Sequence, residues 1–166
     1  MSYNIPILFL IFNRPDVTEK VFEAIRRQKP KQLFVAADGY RKNKQGEKEL
    51  CDKTRSIINK IDWDCEVKTL FRNENLGCCM AVSSAIEWFF QQVEYGIILE
   101  DDCLPNASFF RFQKEMLEKY KDDSRIMMVS GDNFQNGKKR GDASYYFSKL
   151  THIWGVGNLA AGLEAV

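Results

Sequence analysis

The feature that most constrains the fold is a repeated order in which a short apolar run is followed by an amphipathic segment. The first run, IPILFLIF at residues 5–12, has the continuity of a strand that is buried on both faces. Residues 13–28 follow with a Pro-Asp pair typical of a helix N-terminus and with Val17, Val21 and Ile25 at helical spacing. The sequence therefore predicts a strand and the helix that covers it.

This order occurs four times along the chain and is followed by a fifth strand. The predicted strands are residues 5–12, 31–38, 65–71, 95–100 and 125–131, and the predicted helices are residues 13–28, 48–61, 78–93 and 106–120. Apolar strands joined by helices indicate an open, mostly parallel sheet with helices on both faces. The chain of 166 residues is long enough for one such α/β domain.

Composition narrows the classes of partner. Lys+Arg 24 against Asp+Glu 23 gives a net charge of +1, so we expect no nucleic-acid partner. Five cysteines without a CxxC spacing favour reduced thiols in a cytoplasmic protein. The run at residues 5–12 is too short for a transmembrane segment and lacks the flanks of a signal peptide. Peripheral association with a membrane stays open.

In open α/β sheets, ligands bind beyond the carboxyl ends of the strands. Four polar features follow the first four predicted strands: Arg14, Asp38, the loop from Asn75 to Gly77, and the carboxylates of residues 100–102. Because parallel strands end at the same edge, we expect these features to converge there. The basic stretch RKNKQGEK, residues 41–48, is interpreted as a solvated loop.

Three consecutive carboxylates, Glu100, Asp101 and Asp102, end the fourth predicted strand. Side chains alternate in an extended segment, so Glu100 and Asp102 would point to one side. Their charges repel unless water, a basic partner or a metal compensates them, and Mn²⁺ or Mg²⁺ held against a diphosphate would do so. By composition alone, such a trio is more often a solvated loop.

Arg14 and Asp38 carry weaker signals. Arg14 could pair with a phosphate or a base carbonyl, and equally could close a loop before Pro15. Asp38 could accept a hydrogen bond from a base or a ribose, although an Asp-Gly pair is also a common turn signal.

Short motifs at these strand ends resemble a known family. FNRP, AADG, NLG and ILEDDCLPNASFF, in that order, resemble the GT-A fold glycosyltransferases, in particular the inverting family 2-like enzymes similar to N-acetylglucosaminyltransferase I. The resemblance extends over about residues 5–155. It implies the Rossmann-like fold of the nucleotide-diphospho-sugar transferases, a nucleotide-sugar donor, here a UDP-sugar, and a glycan or lipid-linked acceptor.

The resemblance also implies roles for individual residues. Asp102, the last acid of a DXD-type motif, would be the direct metal ligand, while Glu100 and Asp101 would contact the ribose and the sugar of the donor. The nucleotide would be held by residues after the first two strands and flanked by the loop before the third helix: Arg14, Asp38, Asn75 and Gly77.

The sequence departs from the family after HIWG. The familiar pattern breaks at Val156, so we divide the chain into a nucleotide-sugar-binding domain, residues 1–155, and a divergent tail, residues 156–166. A direct-displacement transferase needs a general base. No residue matches one by motif, and Asp132 is a candidate by position alone.

Two alternative functions stay open, the first of which follows from this departure. The chain could be a truncated or non-catalytic nucleotide-binding module. It could instead be a sugar-phosphate nucleotidyltransferase, against which counts the absence of glycine from FNRPDV, where such enzymes carry a phosphate loop.

Overall fold

The computed structural model describes residues 3–132, 134, 138–139, 141–150, 152 and 155–159. The elements in chain order are β1 Ile7–Ile11, α1 Pro15–Gln28, β2 Gln32–Ala37, α2 Glu47–Arg55, a 3-10 helix Ser56–Lys60, β3 Glu66–Phe71, α3 Cys78–Phe90, β4 Tyr95–Glu100, α4 Ala107–Tyr120, β5 Met128–Ser130 and β6 Val156–Leu159.

The strands form one six-stranded sheet in the order β3-β2-β1-β4-β6-β5. β1 pairs in parallel with β2 and with β4, and β2 pairs in parallel with β3. β6 runs antiparallel to both of its neighbours, β4 and β5. The predicted α/β fold with a mostly parallel sheet is thereby confirmed.

β6 was not predicted, because Val156–Leu159 is a four-residue segment that contains glycine and asparagine, both unfavourable in strands. Its position in the sheet nevertheless places the first residues of the expected tail between β4 and β5. Residues 160–166 lie outside the described part of the chain, and the division at residues 155 and 156 stays a prediction.

The core lies on both faces of the sheet. In β1, Ile7 and Phe9 pack on the face covered by α1 and α4, while Leu8 and Leu10 pack on the opposite face against α3. Burial on both faces explains why β1 is an uninterrupted apolar run rather than an alternating one. Because helices cover both faces of the sheet, the polar residues that follow the strands lie at its carboxyl edge.

Within the described residues, no helix is both long and apolar enough to cross a membrane.

Candidate functional site

The carboxyl ends of β1, β2, β3 and β4 lie side by side at one edge of the sheet. Hydrogen bonds join the predicted site residues into two groups. Arg14 contacts the carboxylates that follow β4, and Asp38 contacts the loop from Asn75 to Gly77. The described residues show no hydrogen bond from one group to the other.

The carboxylates do not keep the alternation of a strand. Glu100 is the last residue of β4, and Asp101 and Asp102 lie in a turn in which the Cys103 N–H donates to the Glu100 carbonyl at 3.2 Å. The expectation that Glu100 and Asp102 share a side stays a prediction. Asp101 and Asp102 share one cation.

That cation is the Arg14 guanidinium. Its Nη1 donates to Asp102 Oδ2 at 2.9 Å, its Nε lies 3.4 Å from Asp101 Oδ2, and its Nη2 forms an ion pair with Asp101 Oδ1. Asp101 is buried, with 5% of its side chain exposed, whereas the Asp102 side chain is 35% exposed. The hydrogen bond to Asp101 is the main reason that the pKa of Arg14 is raised.

Glu100 is the least compensated of the three acids. It is half-buried, and within the described part of the chain no side chain donates a hydrogen bond to its carboxylate. Burial, and then the charges of Asp102 and Asp101, raise the pKa of Glu100. A cation bound near Glu100 would offset the neighbouring negative charges and would stabilise the ionised form of this half-buried carboxylate.

The structure describes no group of three or more His, Cys, Asp or Glu side chains with the geometry of a metal site. Mg²⁺ is however commonly held by one or two carboxylates plus substrate phosphates. Glu100 and Asp102 supply such a pair, so the donor set fits a hard divalent cation. The role of Asp102 as a metal ligand stays a prediction.

Cys103 adjoins these carboxylates but is a poor metal ligand. Burial, followed by the negative charge of Glu100, raises the pKa of its thiol to about 11. The thiolate, not the thiol, binds metals. Oxygen ligands therefore dominate this corner of the site.

Asp38 holds the loop before α3. Its buried carboxylate accepts hydrogen bonds from Asn75 Nδ2 at 2.9 Å and from the backbone N–H groups of Leu76 and Gly77, both at 3.0 Å. It also accepts from its neighbour, Gly39 N, at 2.9 Å. These hydrogen bonds show that Asp38 holds the loop in place. Its contact to a nucleotide stays a prediction.

Glu47 is a buried carboxylate beside the candidate site that the sequence interpretation missed. The sequence predicts a solvated loop over residues 41–48, yet Glu47 is buried and accepts hydrogen bonds from Arg41 and from Asn13 Nδ2, the latter at 3.0 Å. These contacts, led by the Arg41 side chain, lower the pKa of Glu47 to about 2. The signal was helical spacing, since Glu47, Cys51 and Thr54 share the buried face of α2.

Asp132, the candidate base, follows β5 at the same edge. Its backbone N–H donates to Ser130 Oγ at 3.2 Å. β6 lies between β5 and β4, so two strand spacings, roughly 10 Å, separate this position from the β4 carboxylates. A role as general base stays a prediction.

No family model matches this sequence, and no curated protein matches it. Solved structures do match. One is a 4-diphosphocytidyl-2C-methyl-D-erythritol synthase from Anaerococcus prevotii DSM 20548, with 12% identity, a TM-score of 0.54, and coverage of 97% of this chain and 74% of that one. Another synthase of the same name has 14% identity, a TM-score of 0.46, and coverage of 96% and 78%.

The comparison with the Anaerococcus synthase corrects the sequence interpretation. The predicted family 2-like glycosyltransferase similar to N-acetylglucosaminyltransferase I is wrong, because the matched fold is that of a synthase of a diphosphocytidyl compound. The DXD-motif interpretation of residues 100–102 and the glycan or lipid-linked acceptor fail with it. Acidic residues after a buried strand are not specific to one reaction, since any α/β fold can place a phosphate-binding cation at this edge. At 12% identity, what the two chains share is the Rossmann-like fold of nucleotide-diphospho-sugar transferases.

Proposed function

We propose that this chain is a nucleotidyltransferase that binds a nucleoside triphosphate with Mg²⁺ or Mn²⁺ and transfers the nucleotidyl group to a phosphorylated sugar or polyol. One observation carries the proposal: two incompletely compensated carboxylates, Glu100 and Asp102, lie beside Arg14 at the carboxyl edge of the sheet. That edge is where α/β folds bind phosphorylated ligands.

The reaction is a displacement at phosphorus. A phosphate oxygen of the acceptor forms a bond to the α-phosphorus of the nucleotide, and the bond from that phosphorus to its bridging oxygen breaks, so that pyrophosphate leaves. A divalent cation, when bound, neutralises the charge that develops on the phosphate oxygens. Glu100 and Asp102 are the residues that would hold it.

Arg14 has a positioning role in this scheme. Buried Asp101 holds the guanidinium in place, and Asp102 shares it. A fixed cation beside the metal carboxylates orients a phosphate without reorganisation during the reaction. Asp101 is thus a support for Arg14 rather than a ligand.

The absence of a glycine-rich loop bears on how phosphates bind. α1 starts at Pro15, which has no N–H group, and Asp16 adds a negative charge in the first turn. The N-terminus of this helix is therefore a poor cradle for phosphate. At the end of β1, side-chain cations and the metal are therefore the proposed phosphate-binding groups.

The loop that Asp38 fixes, Asn75 to Gly77, is the proposed wall of the nucleoside pocket. The name of the Anaerococcus synthase specifies a diphosphocytidyl product, so CTP is the first nucleotide to test. UTP, ATP and GTP complete the panel.

The test measures pyrophosphate release by the purified chain with each nucleotide, Mg²⁺ or Mn²⁺, and a panel of sugar and polyol phosphates. Mass spectrometry then identifies the nucleotide-diphosphate product. We expect metal-dependent release with one nucleotide, and a rate loss of about 100-fold or more in Glu100→Gln and in Asp102→Asn.

Glu118→Gln is the matched control, because this exposed carboxylate on α4 lies in a surface pair with Lys114. It should leave the rate unchanged. Absence of metal-dependent release across the whole panel, or full activity in Asp102→Asn, would overturn the proposal. Release of pyrophosphate without a phosphorylated acceptor would indicate hydrolysis instead.

A further inference from the structure

Arg41 is a cation at the proposed site that neither the sequence motifs nor the proposed mechanism uses. We propose that Arg41, positioned by Glu47, binds the outer phosphates of the nucleoside triphosphate. This inference rests on the proposed function and adds a binding residue to the same site.

Glu47 fixes Arg41 from two directions. The Arg41 Nε lies 3.0 Å from both carboxylate oxygens of Glu47, and its Nη2 forms an ion pair with Oε1. The backbone N–H of Arg41 donates to Glu47 Oε2 at 2.7 Å. Side chain and backbone are thus held by one carboxylate, which leaves the guanidinium few alternative positions.

Arg41 and Glu47 differ in how far their side chains are exposed to solvent. The Glu47 side chain is 5% exposed, while that of Arg41 is 46% exposed. Within the described residues, no acceptor takes a hydrogen bond from Arg41 Nη1. A buried anion therefore presents a cation with unused donors to the solvent side, as a phosphate site requires.

The location is the carboxyl end of β1. Glu47 Oε1 also accepts from Asn13 Nδ2 at 3.0 Å, and the Arg41 guanidinium lies over the Phe12 ring, 5.6 Å from its centroid. Phe12 and Asn13 are the two residues between β1 and Arg14. Arg41 is consequently anchored beside the segment that carries Arg14.

The carboxylates of the site give the reason for a second phosphate-binding group. Three of them lie at residues 100–102, and within the described residues Arg14 is the one side-chain cation that pairs with them. Arg14 is shared between Asp101 and Asp102, which leaves it fewer donors for a phosphate. Arg41 forms a neutral pair with buried Glu47, so it adds no net charge to the site but presents its unused donors to phosphate oxygens.

The experiment compares the affinities of tripolyphosphate, a nucleoside triphosphate and the matching monophosphate by calorimetry. We expect Arg41→Gln to weaken binding of tripolyphosphate and of the triphosphate by about 10- to 100-fold and to leave the monophosphate unchanged. Arg41→Lys should recover part of the loss. Glu47→Gln should weaken the triphosphate without changing the monophosphate, since it releases Arg41.

Lys48→Gln is the control, because this cation pairs with Asp52 on the exposed side of α2. It should bind all three probes as the native chain does. Equal losses for triphosphate and monophosphate in Arg41→Gln, or no loss, would overturn the inference. Tripolyphosphate binding that needs Arg41, in a chain that releases no pyrophosphate from any nucleotide, would support this site and reject the proposed reaction.

Discussion

Arg14 and Asp101 form an ion pair across 87 positions of the sequence, and they tie the segment after β1 to the turn after β4. The carboxylate is buried while the guanidinium remains half exposed. The two residues follow adjacent parallel strands, so the pair also fixes the distance between the segments that come after those strands.

Arg14→Gln should reduce the free energy of unfolding by about 1–3 kcal/mol, because it leaves Asp101 buried without its charged partner. Urea denaturation measures this as a lower midpoint at an unchanged slope. The double variant Arg14→Gln with Asp101→Asn should lose less than the sum of the single losses. Arg111→Gln, in an exposed pair with Glu115, is the control, and an equal midpoint in both arginine variants would contradict the prediction.

Glu47 should make stability depend on acid pH. Its pKa is about 2 in the folded chain against an ordinary 4.5, so its stabilising contribution is complete above pH 4.5 and is lost as pH falls toward 2. Glu47→Gln should be less stable than the native chain at neutral pH and should lose less stability between these two values. Urea denaturation across this pH range measures both effects.

The control for this pH series is Glu49→Gln, which changes an exposed carboxylate on the same helix. Its stability should follow the native curve. If Glu47→Gln also follows that curve, Glu47 does not contribute the acid dependence.

Gly39→Ala should disturb the loop that Asp38 holds. A Cβ at residue 39 would lie 2.3 Å from the carbonyl carbon of Glu74 and 2.8 Å from the Asn75 nitrogen, both backbone atoms. The loop must move, and overpacking of this kind costs about 1–3 kcal/mol. Thermal unfolding measures the loss, and hydrogen exchange at Leu76 and Gly77 should become faster as their bonds to Asp38 weaken.

Gly96 and Phe89 should show energetic coupling. A Cβ at residue 96 would lie 2.4 Å from Phe89 Cζ, which is a steric clash with the ring. Phe89 is fully buried, so its ring has no open space to move into. Gly96→Ala should therefore cost about 1–3 kcal/mol in the native background. In a Phe89→Leu background the same change should cost less, because the smaller side chain leaves room. Additive losses in a double-mutant cycle would contradict the contact.

The sequence was most informative about the strands whose burial is continuous. β1, β2 and β4 are buried on both faces, and this leaves a strong apolar pattern. The other predicted strands and the four helices also overlap the observed elements, although β3 contains no fully buried residue. β6 could not be predicted, because a four-residue strand shows too little apolar alternation to be distinguished from a loop. Its pairing depends on two neighbours that are distant in sequence.

The site was predictable as a place but not as a set of contacts. The edge rule placed Arg14, Asp38 and the carboxylates at one edge of the sheet, as the parallel strand pairs do, while their roles in a site stay predictions. Which hydrogen-bond donor contacts which carboxylate depends on the geometry of the turns, and this geometry cannot be read from the spacing of residues in the sequence. Asp38 is the clearest example, since its acceptor capacity is used by the backbone of its own chain.

β6 has a consequence for the order in which the domain is completed during synthesis. A nascent chain can pair β1 with β2, β3 and β4 before residues 156–159 leave the ribosome, but β4 then has an open side with unpaired backbone groups. β5, which in the described structure pairs with β6 alone, has no strand to join until then. The last described strand thus closes an aggregation-prone edge, and ribosomes paused shortly before it should expose a substrate for chaperones.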